Sequence, residues 1–194
     1  MIRKIALGLL LVDFALTLYA ANTGFDQASN SPYEPGNTWT TGQNGGSGFG
    51  PWTLEIQGTS SQAGVFIGSS TGNAGGSLGI DTAGVSWGMY ANSGQIAEAF
   101  RSFTSGSMLV GQTFRLSIDT GVIQSGGNEG FFLQGSGGTR FEFYFLGGQA
   151  NYTSVDGTGT HNTGIGFTGN GLNLAFTLTT IDSYSLAVTP ANGG

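Results

Sequence analysis

Apolar and polar residues alternate along most of the chain, and the clearest example is the stretch from Thr139 to Leu146. Successive side chains of a β-strand point to opposite faces, so this stretch would place three phenylalanines on one face and three polar residues on the other. The first set is Phe141, Phe143 and Phe145, and the second is Arg140, Glu142 and Tyr144. A period of two does not produce a helical stripe. The pattern therefore predicts a strand whose phenyl face lies in a core.

The same alternation recurs in short runs separated by glycine-rich turns. Predicted strands cover 52–57, 63–68, 85–91, 95–103, 114–119, 129–134, 139–146, 151–155, 163–167, 172–179 and 183–188. The run 95–103 also fits a short amphipathic helix, but its neighbours favour a strand. The stretch 69–79 is almost wholly Ser, Thr, Gly and Asn and is predicted to be a loop. Ten to twelve strands without a long helix predict an all-β fold, an antiparallel β-sandwich or jelly roll.

The amino terminus has the pattern of a secretory signal peptide. Arg3 and Lys4 precede an apolar run, and a small-residue processing site follows at Ala20 or Ala21. We therefore expect a signal peptide over 1–21, a single domain over 22–194, and a secreted protein in the extracellular space or at the cell surface. After processing we expect no membrane insertion.

Charge and cysteine content exclude several classes of function. After removal of the signal, three arginines face ten carboxylates, giving a net charge near −7. Such a surface repels nucleic acid and anionic lipid. The chain has no cysteine and one histidine, which excludes thiol proteases, zinc fingers and multi-histidine metal sites. Glycine is abundant at 37 residues, but aromatic residues make up 12% of the chain, enough to predict a folded core.

Paired carboxylates are the remaining route to catalysis. Glycoside hydrolysis needs two carboxyl groups roughly 5 to 10 Å apart across a cleft. Glu55, Glu98 and Glu142 are the candidates, because each lies on a predicted strand whose alternate residues are apolar. Two of them could meet over a concave sheet. A plain solvated strand face is the alternative reading of all three.

Calcium is the cofactor that the composition favours, since Asp and Asn in glycine-rich loops supply the hard oxygen ligands it prefers. A structural Ca²⁺ would also help to hold an exported chain without disulfides. The candidate ligands are Asp26, Asn30, Asp119, Asp156 and Asp182. None of them forms the spaced loop of an EF-hand.

Several segments resemble a group of secreted bacterial surface proteins that often carry a carboxy-terminal sorting tail. The resemblance covers most of residues 26–190. It is carried by Asp26-x-Ala28-Ser29-Asn30, Tyr33, Trp39-x-x-Gly42-x-Asn44-Gly45-Gly46-x-Gly48-Phe49-Gly50-x-Trp52, Gly130-Phe131, Gln134, Phe141-Glu142-Phe143, Thr163-Gly164-Ile165, Phe167, Phe176-Thr177-Leu178-Thr179 and Tyr184-Ser185-Leu186. That group looks like the concanavalin A-type lectin and glucanase sandwiches. The resemblance implies a concanavalin A-like fold, but it assigns no catalytic residue.

Three functions remain open from the sequence. The first is a non-catalytic, lectin-like protein that binds polysaccharide or a cell-surface glycan, since aromatic rings suit sugar faces and amide or carboxylate groups suit hydroxyls. Its candidate ligand-binding residues are Trp39, Trp87, Tyr90, Arg140, Glu142 and Tyr144. Trp87 has core packing as its alternative role. The second function is a glycoside hydrolase, and the third is a structural subunit of an extracellular assembly formed by self-association.

Overall fold

Short alternating segments of this chain form antiparallel strands. The computed structural model describes residues 24–33 and 38–191, so the predicted signal peptide lies outside the described residues. Within the described part, eleven strands and one short helix form in the following order: β1 Thr53–Gln57, β2 Ala63–Gly68, α1 Ser70–Ala74, β3 Ser86–Ala91, β4 Ile96–Phe100, β5 Thr113–Ile118, β6 Asn128–Gly135, β7 Gly138–Leu146, β8 Asn151–Asp156, β9 Gly159–Gly166, β10 Leu172–Thr180 and β11 Ser183–Pro190. The expectation of an all-β chain with antiparallel sheets is confirmed.

Two larger sheets share one apolar cluster. One has the strand order β6-β7-β8-β9, and the other has the order β11-β10-β5. The phenyl face predicted for β7 is buried, with Phe143 fully inaccessible to solvent. Leu172, Leu174 and Phe176 of β10 belong to the same cluster. Phe176 places its ring centroid 5.0 Å from that of Phe141, so the inner faces of the two sheets meet through aromatic contacts.

Two small two-stranded ribbons and the described residues before β1 form a second apolar cluster. We call those residues, 24–33 and 38–52, the early segment. β1 pairs with β4, and β2 pairs with β3, both antiparallel. Tyr33, Trp39 and Ile67 are buried there, and Trp52 and Trp87 pack against them. The early segment contributes few hydrogen bonds of regular secondary structure. Its rings therefore attach it to the ribbons through packing.

Two details differ from or refine the sequence expectations. The predicted loop 69–79 contains the helix α1, which begins after Ser69 and ends before Gly75. The Ser69 side chain accepts a hydrogen bond from the Gly72 amide at 3.3 Å, and Gly75 adopts a φ of 87°, so both ends have standard caps. The stretch 95–103, which fitted a helix or a strand, contains the strand β4.

Candidate functional site

Two of the three candidate glutamates lie directly opposite each other. Glu55 of β1 pairs with Glu98 of β4 in the antiparallel register, and both side chains are exposed. Directly opposed residues on one face of such a pair have Cβ atoms about 4.5–5.5 Å apart. The fold therefore brings together two carboxylates that are far apart in sequence.

Aromatic and amide side chains complete a groove around this pair. Phe100 follows Glu98 by two residues on β4 and so shares its face, and Phe132 and Gln134 come from β6. β6 is the edge strand of the four-stranded sheet, so the groove lies between that sheet and the β1–β4 ribbon. Its volume is about 180 Å³. We call these five residues the acidic groove.

The outward face of β6 and β7 continues from the acidic groove. Glu142 of β7 pairs directly with Phe132, and Tyr144 pairs with Gly130. A side chain in place of Gly130 would put its Cβ 2.0 Å from the carbonyl oxygen of Phe143, so glycine permits the close approach of the strands there. Glu142 and Tyr144 are both half-buried. Two of the predicted ligand-binding residues thus lie on the sheet face that borders the groove.

Arg140 lies at the end of the same hairpin. β6 and β7 shift register at Leu133 and Gln134, which leaves Arg140 without a direct partner. Its guanidinium lies against the turn at Gly137. An ideal Cβ atom at that glycine would stand only 2.9 Å from Arg140 Nη2. The side chain is exposed and makes no ion pair with any carboxylate of the described residues.

The predicted aromatic ligands Trp39, Trp87 and Tyr90 lie elsewhere. Trp39 is only 6% exposed and packs edge-on against Trp52 at 5.2 Å. Trp87 contacts Trp39, Trp52 and Tyr33 and is half-buried. Trp39 is buried, Trp87 packs against three rings, and neither lines the acidic groove, so we do not keep them in the site. Tyr90 is exposed on β3, where its hydroxyl donates to the carbonyl oxygen of Ser60 at 2.6 Å.

Two predicted calcium ligands are already engaged in a buried network. Asp26 pairs with Arg101, and both side chains are almost completely buried. The Asp26 carboxylate also accepts hydrogen bonds from Asn30 Nδ2 at 2.9 Å and from the Tyr33 hydroxyl at 2.7 Å. Burial is the main cause that raises the pKa of Tyr33, and its bond to Asp26 adds to the effect. The Asp26 carboxylate is thus shared by an arginine, an amide and a tyrosine hydroxyl.

The predicted ligand Asp156 is also occupied by donors. Its carboxylate accepts hydrogen bonds from the amide and hydroxyl of Thr158 and from the Tyr184 hydroxyl at 2.6 Å. The bonds from Thr158 and Tyr184 hold the pKa of Asp156 well below its usual range. Asp182 is exposed in the turn between β10 and β11. Among the described residues, no group of three or more His, Cys, Asp or Glu side chains is arranged to hold a metal ion.

Asp119 and Glu129 are two partly buried carboxyl groups, and the charge of Asp119 acts on Glu129. Both carboxylate oxygens of Asp119 are buried without a hydrogen-bond partner, and burial raises the pKa of this carboxyl group. Glu129 faces the core from β6, where it pairs with Phe145. Burial, and then the charge of Asp119, raise the pKa of Glu129 from 4.5 to about 7, against a hydrogen bond from the Gly121 backbone.

This raised pKa predicts a pH dependence of stability that Glu129→Gln removes. Between about pH 4.5 and 7 the folded state holds a proton on Glu129 that the unfolded state has lost, so stability falls as pH rises through that window. The loss reaches up to about 3 kcal/mol, at 1.36 kcal/mol per pKa unit. Urea unfolding across this range should show the decline in the natural chain and a flatter profile in Glu129→Gln. Glu55→Gln, at an exposed position, should keep the original slope, and parallel profiles for all three proteins would contradict the prediction.

Sequence reasoning missed Phe100, Phe132 and Gln134. The signal for Phe132 was present, because adjacent residues of a strand cannot share a face and Phe131 already belongs to the core side. One of two neighbouring phenylalanines must therefore point outward. Phe100 had the same signal through its spacing of two from Glu98.

A second and larger groove, of about 510 Å³, lies between the early segment and the start of β5. Phe49, Phe103 and Phe114 supply its rings, and Thr104 and Gln112 are among its polar residues. No ionisable side chain lines it, and it contains none of the residues that the sequence analysis selected. We call it the neutral groove.

Comparison with known proteins gives no match to a family model, a curated protein or a solved structure. Within the described residues, no helix has the length and apolar character needed to cross a membrane.

Proposed function

We propose that the protein binds carbohydrate, without catalysis, through the acidic groove and the adjoining outward face of β6 and β7. The observation that carries the proposal is the meeting of Glu55 and Glu98 with the rings of Phe100 and Phe132 in one groove. Aromatic faces pack on the apolar side of a sugar ring, and carboxylate and amide groups accept or donate hydrogen bonds to hydroxyls.

The size of the groove fits one residue of a longer glycan. Pockets that enclose drug-sized ligands usually measure roughly 300–1,000 Å³. The acidic groove measures about 180 Å³, so most of an oligosaccharide would extend beyond it. Glu142 and Tyr144 lie next to Phe132 and could contact the neighbouring sugar. We include in this proposal a concanavalin A-like sandwich, exported by the signal sequence over 1–21 and acting on polysaccharide or cell-surface glycan.

The test is Phe132→Ala in a glycan array and a polysaccharide pull-down. Loss of the ring should weaken binding about tenfold, equivalent to 1.4 kcal/mol, because stacking contacts contribute energies of this order. Ile181→Ala is the matched control, since it removes an exposed apolar side chain from a hairpin tip. Binding that is equally strong in both variants, or absent from the natural chain, would refute the proposal.

Glycoside hydrolysis is the second candidate, favoured by the direct opposition of Glu55 and Glu98. Opposed residues have Cβ atoms about 4.5–5.5 Å apart, so the two flexible carboxylates can reach the roughly 5–5.5 Å separation found in retaining enzymes. However, a general acid that stays protonated near neutral pH is normally held in an apolar pocket, whereas both of these glutamates are exposed. Release of reducing ends from a bound polysaccharide, abolished by Glu98→Gln, would establish hydrolysis. Binding without release favours the first function.

A further inference from the structure

We propose that the glycan unit that enters the acidic groove carries a positively charged amine, as a deacetylated amino sugar does. This inference rests on the proposed carbohydrate-binding function and specifies its ligand class. It is based on the negative charge of Glu55 and Glu98 in the groove.

The two glutamates form a like-charge contact with no visible compensation. Like charges directly opposite each other on a sheet face destabilise the pairing. Neither Glu55 nor Glu98 forms an ion pair in the described part of the chain, where Arg101 pairs with Asp26 and His161 Nε2 lies 3.2 Å from Asp156 Oδ1. An ammonium group between the two carboxylates would remove this repulsion.

The arginines of the described chain form no ion pair with Glu55 or Glu98. Arg101 is held by Asp26 and by Gly50, whose carbonyl oxygen accepts from Nε at 2.8 Å. Arg115 points outward from β5, in the other large sheet. Arg140 lies against the turn at Gly137. A cation supplied by the ligand would complement the two carboxylates.

The rings of the groove favour an amine attached to a sugar over a simple cation. Phe100 and Phe132 line the same space as the carboxylates. A phenyl face attracts cations and also packs on the C–H face of a pyranose. An amino sugar offers both features in one unit. A glycan rich in carboxylate or sulfate groups would be repelled by Glu55, Glu98 and Glu142.

The experiment compares a glucosamine tetramer with its N-acetylated counterpart by isothermal titration calorimetry at mildly acidic pH. The natural chain should bind the amine form roughly tenfold more tightly, as expected for about 1.4 kcal/mol of charge complementarity. The double variant Glu55→Gln/Glu98→Gln should bind both tetramers with equal affinity. Asp182→Asn, which removes an exposed charge outside the groove, should keep the preference. Raising the salt concentration should reduce the preference in the natural chain.

Each other outcome is decisive. Equal binding of both tetramers by the natural chain, lost on Phe132→Ala, would overturn the amine proposal and leave carbohydrate binding intact. Binding of neither tetramer, together with a failed glycan array, would refute both proposals. If the double variant still preferred the amine form of the tetramer, the amine would be attracted to the acidic protein as a whole, and the inference would be overturned. Thermal unfolding checks the fold, and the double variant should not melt earlier, because it loses a like-charge contact.

Discussion

Replacing Arg101 with alanine is expected to lower the free energy of unfolding by about 4 kcal/mol, since breaking a buried ion pair leaves one charge without its partner. Arg101 and Asp26 are almost completely shielded from water. The guanidinium also lies over the ring of Trp52 at 4.7 Å and over that of Phe49 at 5.0 Å. The substitution removes the ion pair and both ring contacts at once. Urea unfolding followed by tryptophan fluorescence measures the loss.

Arg115→Ala is the matched control for this prediction. Arg115 is exposed on β5, and surface substitutions of this kind usually change stability by less than about 0.5 kcal/mol. A loss below about 1 kcal/mol in Arg101→Ala, or equal losses in the two variants, would contradict the role of the buried pair in attaching the early segment to the ribbons.

Replacing Phe143 with alanine should also cost about 4 kcal/mol, within the range for deleting a buried phenyl ring. Phe143 is inaccessible to solvent and stacks on Tyr152, with ring centroids 5.1 Å apart and planes 12° from parallel. Phe143 belongs to the larger apolar cluster, so its replacement by alanine leaves a cavity among packed side chains. The measured quantity is again the free energy of unfolding in urea.

The same deletion on the opposite face gives the control. Phe132 lies one position from the core residue Phe131 and faces the acidic groove, so Phe132→Ala should cost within about 1 kcal/mol while impairing glycan binding. Equal losses of stability in Phe132→Ala and Phe143→Ala would mean that the two faces of β6 and β7 have been assigned incorrectly.

Local patterning was enough to predict most strands. In β7 the alternation of phenylalanine with polar residues predicted both the strand and its buried face, because a side-chain period of two leaves no other way to bury the rings. The β10 strand followed from the same rule. The turn at 135–138 also followed from its glycines, since the flanking runs had matching periods.

Features that depend on distant pairing could not be predicted. Asp26 and Arg101 are 75 residues apart, so nothing local showed that the aspartate would pair with an arginine. The pairing of Glu55 with Glu98 depends on the register of two strands, β1 and β4, that are not consecutive in the sequence. Trp39 was chosen because aromatic rings suit sugar faces, but it is buried against Trp52 and Trp87. The helix α1 was hidden because its residues are poor helix formers, and its caps stabilise it.

The most direct test of the account is an NMR titration of isotope-labelled protein with mixed amino and N-acetylated oligosaccharides. We predict that the largest amide shifts occur at the five residues of the acidic groove, with smaller shifts at Glu142 and Tyr144. Shifts confined to Phe103, Gln112 and Phe114 would place binding in the neutral groove. That result, or a spectrum that does not change, would contradict the claim that Glu55 and Glu98 form the ligand site.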